Sequence, residues 1–142
     1  MYMRRTFGLS LLTMAIAFGL TVLANEKPTT EFQNIMKSNA ATNGAMGLRA
    51  HITAKDYDAI AKDAATFKEN FSKIEAFWTQ KKVDDAIKLA KTGHEGAEDL
   101  EKAAKAKDDA GIMAAQMKIG GVCGGCHMAH REQLPDKTFE IK

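Results

Sequence analysis

The spacing of apolar positions along the chain predicts four helices after residue 24. The second helix has the most regular pattern, with apolar side chains recurring in alternating steps of three and four, which places them on one face. These positions are Tyr57, Ile60, Ala64, Phe67, Phe71, Ile74 and Trp78. Alternation typical of a strand is confined to a short segment over residues 138–141. The pattern therefore favours an all-α protein.

The first predicted helix covers residues 30–51. Thr30 and Gln33 fit a capping box at its start, and Gly44 and Gly47 are weak points near its end. Its apolar positions include Phe32, Ile35, Met36, Ala40 and Met46. The third and fourth helices are expected over residues 83–106 and 110–131.

Turn signals separate these helices. Asp108 or Asp109 can cap the fourth helix, and Pro135 lies beyond its end. Because short connections make neighbouring helices antiparallel, the predicted fold is an antiparallel up-down-up-down four-helix bundle. It occupies one domain over residues 25–142, with a core at about residues 30–132 and a short C-terminal tail over residues 133–142.

Residues 1–24 have the organisation of a secretory signal peptide. Arg4 and Arg5 precede an apolar stretch that extends to Leu23, and small or β-branched residues lead to Ala24. We predict cleavage after Ala24. The alternative is an uncleaved anchor, because the apolar stretch approaches the length of a short membrane span. With cleavage, the mature protein is expected in the bacterial periplasm and away from the membrane.

The charge of the chain comes from this N-terminal segment. The chain has 20 Lys and Arg residues, 18 Asp and Glu residues and a net charge of +2. Removing residues 1–24 takes away Arg4 and Arg5 and no acid, so the remaining charges balance. A balanced chain argues against nucleic-acid binding, which normally needs a basic surface.

The strongest chemical signal is the sequence Cys-Gly-Gly-Cys-His at residues 123–127. Such a C-x-x-C-H sequence is typical of c-type haem attachment. On a helix, Cys123 and Cys126 lie about one turn apart on nearly the same face, so both thiols can reach the vinyl groups of one haem. His127 follows directly and can bind the iron as the proximal ligand.

Three other interpretations of the two cysteines are weaker. A thioredoxin-like redox motif needs a βαβ context, which the pattern does not predict. A zinc site needs further ligands, and the chain has no second cysteine pair. A plain disulfide leaves His127 without a role. One covalently attached haem c is therefore the predicted cofactor.

With this motif on the last helix of an exported four-helix bundle, the chain resembles the cytochrome c-prime family. The family's motif continues with two variable residues, an aromatic residue and an arginine. Here Arg131 matches, whereas His130 replaces the aromatic residue. The segment Gln33-Asn34-Ile35-Met36-Lys37-Ser38-Asn39 is similar to the first helix of the low-spin, methionine-ligated branch. Phe32 stands where the high-spin branch usually has an arginine.

The resemblance implies that Met36 is the distal iron ligand. A thioether ligand raises the reduction potential of a haem iron. The alternative for Met36 is ordinary core packing. Met46 is a second candidate, but it points about 80° away from Met36 around a helix, so both cannot face one iron.

The sequence also suggests roles for Arg131 and for the three remaining histidines. Arg131 is expected to contact a haem propionate or to stack over His127, or else to be a solvated cation at the helix end. His51 suits a helix C-terminus, and His94 fits a hydrogen-bonded structural role. His130 lies on the same face as His127, and its titration is expected to tune the iron potential.

The resulting prediction is a periplasmic electron carrier and not an enzyme. It would exchange electrons with transient redox partner proteins through small interfaces. The alternative function is a five-coordinate binder or sensor of nitric oxide or carbon monoxide, in which Met36 does not bind the iron. Members of the family often form homodimers through their first two helices, but the sequence does not require a dimer.

Overall fold

The computed structural model describes residues 25–142, so the predicted signal peptide lies outside the described residues. It contains five helices and two short strands: α1 Thr30–Thr42, α2 Leu48–Ala54, α3 Tyr57–Lys81, α4 Asp84–Ala106, α5 Asp109–His130, β1 Arg131–Gln133 and β2 Phe139–Ile141. The fold is mostly helical and compatible with the predicted bundle. Within residues 25–142, no helix has both the length and the apolar character needed to cross a membrane.

Helices α3, α4 and α5 pack side by side, with α4 in the middle. The chain turns tightly between them at Lys82 and Lys107, which take the left-handed conformation with φ of 57° and 55°. At the start of α5, Asp108 Oδ1 accepts a hydrogen bond from Gly111 N at 3.0 Å. The predicted bounds of α4 and α5 are thus confirmed to within one residue, whereas α3 continues three residues beyond Trp78, the last position of its apolar stripe.

The prediction of one long first helix was wrong, because the chain forms α1 and α2 instead. The helix ends at Thr42, and Gly47 begins the approach to α2. A Cβ atom at Gly47 would lie 2.3 Å from Thr42 O, so the close approach of the backbone requires a glycine. The predicted cap was also wrong by one residue, since Thr29 Oγ1 accepts the hydrogen bond from Phe32 N at 3.2 Å.

Helix α1 packs mainly on α3. The rings of Phe32 and Phe77 stack with centroids 4.0 Å apart, and Trp78 meets Phe32 edge-on. Farther along, Asn70 Nδ2 donates a hydrogen bond to the buried Asn39 Oδ1 at 2.9 Å. A buried amide pair of this kind fixes the position of α1 along α3, because a shift would leave both groups unpaired.

The C-terminal tail is part of the fold. Strand β2 pairs with β1 in antiparallel register, with Glu132 opposite Glu140. Glu26 joins this sheet by a bridge to Ile141, whose side chain is buried at 8 % exposure. The segment expected to be extended over residues 138–141 is therefore confirmed, whereas the pairing strand β1 and the role of the tail in the core were not foreseen.

Candidate functional site

The two cysteines and His127 of α5 line one cavity of about 500 Å³. Met36 of α1 and Arg131 of β1 also line it. The structure thus brings together all five residues that the sequence nominated for a cofactor site.

The remaining walls of the cavity are mainly apolar. Helices α1, α3, α4 and α5 all contribute, and strand β2 covers one side. A space of this size with apolar walls and a few polar groups is typical of a site for a small organic molecule. The principal apolar residues are Phe32, Phe71, Ile74, Trp78, Leu89, Ala90, Val122, Phe139 and Ile141.

Both cysteines are half-buried free thiols. Burial raises the pKa of Cys123, and burial together with the neighbouring Cys123 and Asp85 raises the pKa of Cys126 to about 11. Both thiols are therefore protonated at neutral pH. Redox-active cysteines normally have a lowered pKa, so this environment does not favour the thioredoxin-like interpretation.

Among residues 25–142, no group of three or more His, Cys, Asp or Glu side chains is arranged to hold a metal ion. Cys123, Cys126 and His127 are close in sequence but do not form such a group. A haem iron makes a different demand, because the porphyrin supplies its equatorial ligands and the protein supplies only the axial ones.

His127 is placed to present a neutral imidazole to the cavity. Partial burial lowers its pKa, and the Arg131 guanidinium nearby lowers it further. Arg131 Nη1 lies 3.4 Å from His127 Nδ1, and the guanidinium packs over the Phe139 ring at 3.5 Å from its centroid. Since only neutral imidazole can bind a metal, the lowered pKa suits a ligand role. Arg131 itself is exposed, and its guanidinium contacts the His127 ring.

Of the two candidate methionines on the first predicted helix, Met36 alone lines the cavity. It is partly buried against the core. Met46 is 93 % exposed and lies in the turn between α1 and α2. Ala40 is also exposed, so the inner side of α1 comprises Phe32, Ile35, Met36 and Asn39.

His130 is the only other histidine at the cavity among the described residues. Its Nε2 lies 2.9 Å from Asp85 Oδ2, and its ring packs against Trp78 with centroids 5.0 Å apart. His51 pairs with Asp63 at 2.6 Å, as suits a structural role, and His94 lies 3.8 Å from Glu98.

Sequence analysis missed the contribution of the tail to the cavity. Phe139 and Ile141 line it from β2. Their apolar character on either side of Glu140 was a visible signal of a half-buried strand, but that pattern does not reveal what the strand covers.

Comparison of the chain with protein-family models, with curated proteins and with solved structures finds no match.

Proposed function

We propose that the protein is a mono-haem c-type cytochrome that transfers electrons, similar to the low-spin branch of the cytochrome c-prime family. The observation that supports this most directly is the convergence of Cys123, Cys126, His127 and Met36 on one apolar cavity. Two thiols one helical turn apart, followed by a histidine, are the residues that covalent haem attachment needs. A bound haem would supply an iron that changes between its ferrous and ferric states.

The protein would hold the cofactor from two helices. Cys123 and Cys126 would form the thioether bonds, His127 would be the proximal ligand and Met36 the distal ligand. The neutral state of His127 leaves a ring nitrogen available for the iron. The apolar walls would exclude water and so limit the reorganisation that accompanies a change of charge. Arg131, held by Phe139, would keep a positive charge beside His127 and favour the reduced state.

The remaining parts of the proposal concern the setting of the reaction. Export through the signal peptide would place the protein in the periplasm, where c-type haem is attached. The protein would not be an enzyme, because an iron bound by both His127 and Met36 would have no free position for a substrate. Its partners would be redox proteins that bind transiently.

Mass spectrometry and optical spectroscopy test the proposal. The full chain, made in a bacterium with haem-attachment machinery, is expected to carry one covalent haem and to be low-spin in both oxidation states. Cys123→Ala combined with Cys126→Ala should abolish covalent attachment. A protein that gains no haem mass under these conditions would refute the proposal.

The distal ligand has a matched control in the chain. Met36→Ala should convert the spectrum to a high-spin type, whereas Met46→Ala should leave it unchanged because Met46 is exposed outside the cavity. If Met36→Ala keeps the wild-type ligand signature, another group binds the iron.

The same measurements decide the alternative function. The apolar side chains of Phe71 and Ile74 line the same cavity as Met36. An iron whose sixth position is free beside these apolar side chains would favour a small neutral gas. A high-spin wild-type protein that takes up carbon monoxide readily would therefore support a gas binder or sensor in place of an electron carrier.

A further inference from the structure

Trp78 has a buried hydrogen-bond donor that the fold leaves unpaired. It is the one tryptophan of the chain, and its side chain is 2 % exposed and lines the cavity. Its Nε1 atom is buried, and within residues 25–142 no side-chain or backbone group accepts a hydrogen bond from it. A buried donor without an acceptor costs free energy, so this N–H group requires an explanation.

The indole ring of Trp78 is held by three other rings. Phe32 and Phe77 meet it edge-on, with centroids 6.2 and 5.1 Å away, and the centroid of the His130 ring lies 5.0 Å away. His130 Nε2 is itself engaged, because it lies 2.9 Å from Asp85 Oδ2. Turning the indole to bring its N–H group to bulk solvent would break these ring contacts, so the donor is fixed in place.

Packing alone does not explain a tryptophan at this position. The other cavity-lining residues of the apolar stripe on α3 are Phe71 and Ile74, whose side chains have no polar atom. Tryptophan fills a similar space but adds an N–H group, which usually finds a partner when buried. Asn43 Oδ1 is also buried and unpaired in the described part of the chain, but Asn43 does not line the cavity. The ligand of the cavity can therefore supply the acceptor that Trp78 lacks.

The charges around the cavity indicate what kind of acceptor this is. Lys27, Lys37 and Arg131 are exposed and line the cavity, and among residues 25–142 Glu140 is the one carboxylate that does so. This excess of positive charge attracts an anionic group. A hydrogen bond to a charged acceptor is also roughly twice as strong as one to a neutral acceptor. A carboxylate fits both conditions.

We propose that Trp78 Nε1 donates a hydrogen bond to a carboxylate of the bound cofactor and so fixes the orientation of that cofactor in the cavity. The inference rests on the proposed function, because the two propionate groups of a haem supply the carboxylates. Trp78 is a positioning residue, since it does not bind the iron. Lys27 and Lys37 have flexible side chains and attract the carboxylate without placing it, whereas the indole is held rigidly.

Ultraviolet resonance Raman spectroscopy tests the hydrogen bond without a mutation. The N–H band of tryptophan shifts when the indole donates a hydrogen bond, and the single tryptophan makes its assignment unambiguous. The band is expected to report a free N–H group in the haem-free chain and a hydrogen-bonded one in the holoprotein. An N–H group that is free in both forms would overturn the proposal. One that is bonded in both would overturn it too, because water would then be the partner.

A binding cycle tests whether the acceptor is a carboxylate. In a chain with Cys123→Ala and Cys126→Ala, haem binds without covalent attachment, so its affinity can be measured. Adding Trp78→Phe should weaken the binding of haem at least about tenfold. The same change should weaken the dimethyl ester of haem much less, because esterification removes both negative charges. An equal loss for the two ligands would contradict the proposal.

Phe32→Leu is the matched control, since Phe32 is an aromatic neighbour of Trp78 at the same cavity and has no donor. It should weaken haem and the ester alike. A selective loss of haem in Phe32→Leu as well would show that ring packing, and not the N–H group, distinguishes the two ligands.

The outcomes separate this inference from the proposed function. A wild-type chain that gains no haem refutes the cytochrome itself, as judged by mass. A chain that binds haem while the N–H group of Trp78 stays free refutes the role of Trp78 and leaves the cytochrome standing.

Discussion

The two ends of the helical bundle are built differently. At one end, which we call the closed end, aliphatic side chains from four helices are fully buried against one another, among them Leu48, Ile60, Leu100 and Ile112. At the other end, which we call the cavity end, aromatic rings of α1 and α3 face the cysteine-bearing part of α5. A cavity of about 500 Å³ lies between them. The same three long helices pass through both ends.

The packing that stabilises the fold and the side chains of the candidate site therefore lie at different ends of the bundle. Tight packing at the closed end holds α3, α4 and α5 in register, since removing buried groups there would leave voids. The cavity end then needs only to present its side chains on helices that are already fixed. A site on rigid elements holds its groups more precisely than one on loops.

The largest difference in stability is expected between two leucine truncations on α4, one at each end of the bundle. Leu100→Ala is expected to lower the free energy of unfolding by about 2–5 kcal/mol, because it leaves a void in a closed core. Leu89→Ala, on the same helix, should cost well under half as much, since its side chain borders an existing cavity. Urea unfolding of the haem-free protein measures both. Equal losses would show that the two ends are packed alike.

A smaller effect is expected where α4 passes Phe71. A Cβ atom at Gly93 would lie 2.3 Å from the Phe71 ring, so Gly93→Ala must push a cavity-lining ring aside. We expect a loss of stability of about 1–3 kcal/mol by overpacking. Gly96→Ala is the control, because its nearest contact is Ile119 at 3.1 Å. Thermal unfolding measures the stability of both variants. A Gly93→Ala variant more stable than Gly96→Ala would contradict the expected overpacking against Phe71.

A pH effect should distinguish the cavity end in the haem-free protein. Burial lowers the pKa of His127 in the folded state, so the unfolded chain binds a proton more readily. Stability should therefore rise with pH up to about the unfolded value near 6.5 and fall as the pH drops below it. Urea unfolding between pH 5 and 7.5 measures the slope. His127→Gln should flatten it, and an unchanged slope would assign the effect to other groups.

The smallest effect should occur on the outer surface, at acid pH. Lys105 and Lys68 lower the pKa of Glu101 to about 2, and Lys105 Nζ lies 2.7 Å from Glu101 Oε1. The stabilisation is present above the unfolded value near 4.5 and is lost as the pH falls through about 2. Glu101→Gln should therefore differ from wild type at pH 6 and converge with it at pH 2. Glu98→Gln, on the same helix, is the control, and the same behaviour in both variants would contradict the role of Glu101.

The sequence predicted the long helices better than the segments that join them. The apolar stripe from Tyr57 to Trp78 is local, and it located α3 within a few residues. The break between α1 and α2 depends on the close approach of Gly47 to Thr42, which a helical pattern does not reveal. The capping error at Thr30 has a different origin. Thr29 and Thr30 are adjacent and offer caps of similar chemistry, so the sequence alone does not decide between them.

The sequence indicated which residues belong to the candidate site but not which segments enclose the cavity around them. The C-x-x-C-H spacing identifies Cys123, Cys126 and His127, since their chemistry depends on local geometry. The covering of the cavity by Phe139 depends on the pairing of β2 with β1 and on the contact of that ring with Arg131. Contacts of this kind follow from how the whole chain packs, and no local pattern specifies them.

The bridge between Glu26 and Ile141 brings the two ends of the described chain together. Two hydrogen bonds of 2.9 and 2.8 Å join these residues, which lie near the two ends of the described chain. A circular permutant that starts at Val83, with a short linker over the old termini, should therefore keep every helix. In that order of elements, α5, the tail and α1 become neighbours in sequence. Helices α3 and α4, which pack on each other most extensively, would then lie at opposite ends of the chain, so their contacts become non-local and folding should be slower than in the natural order.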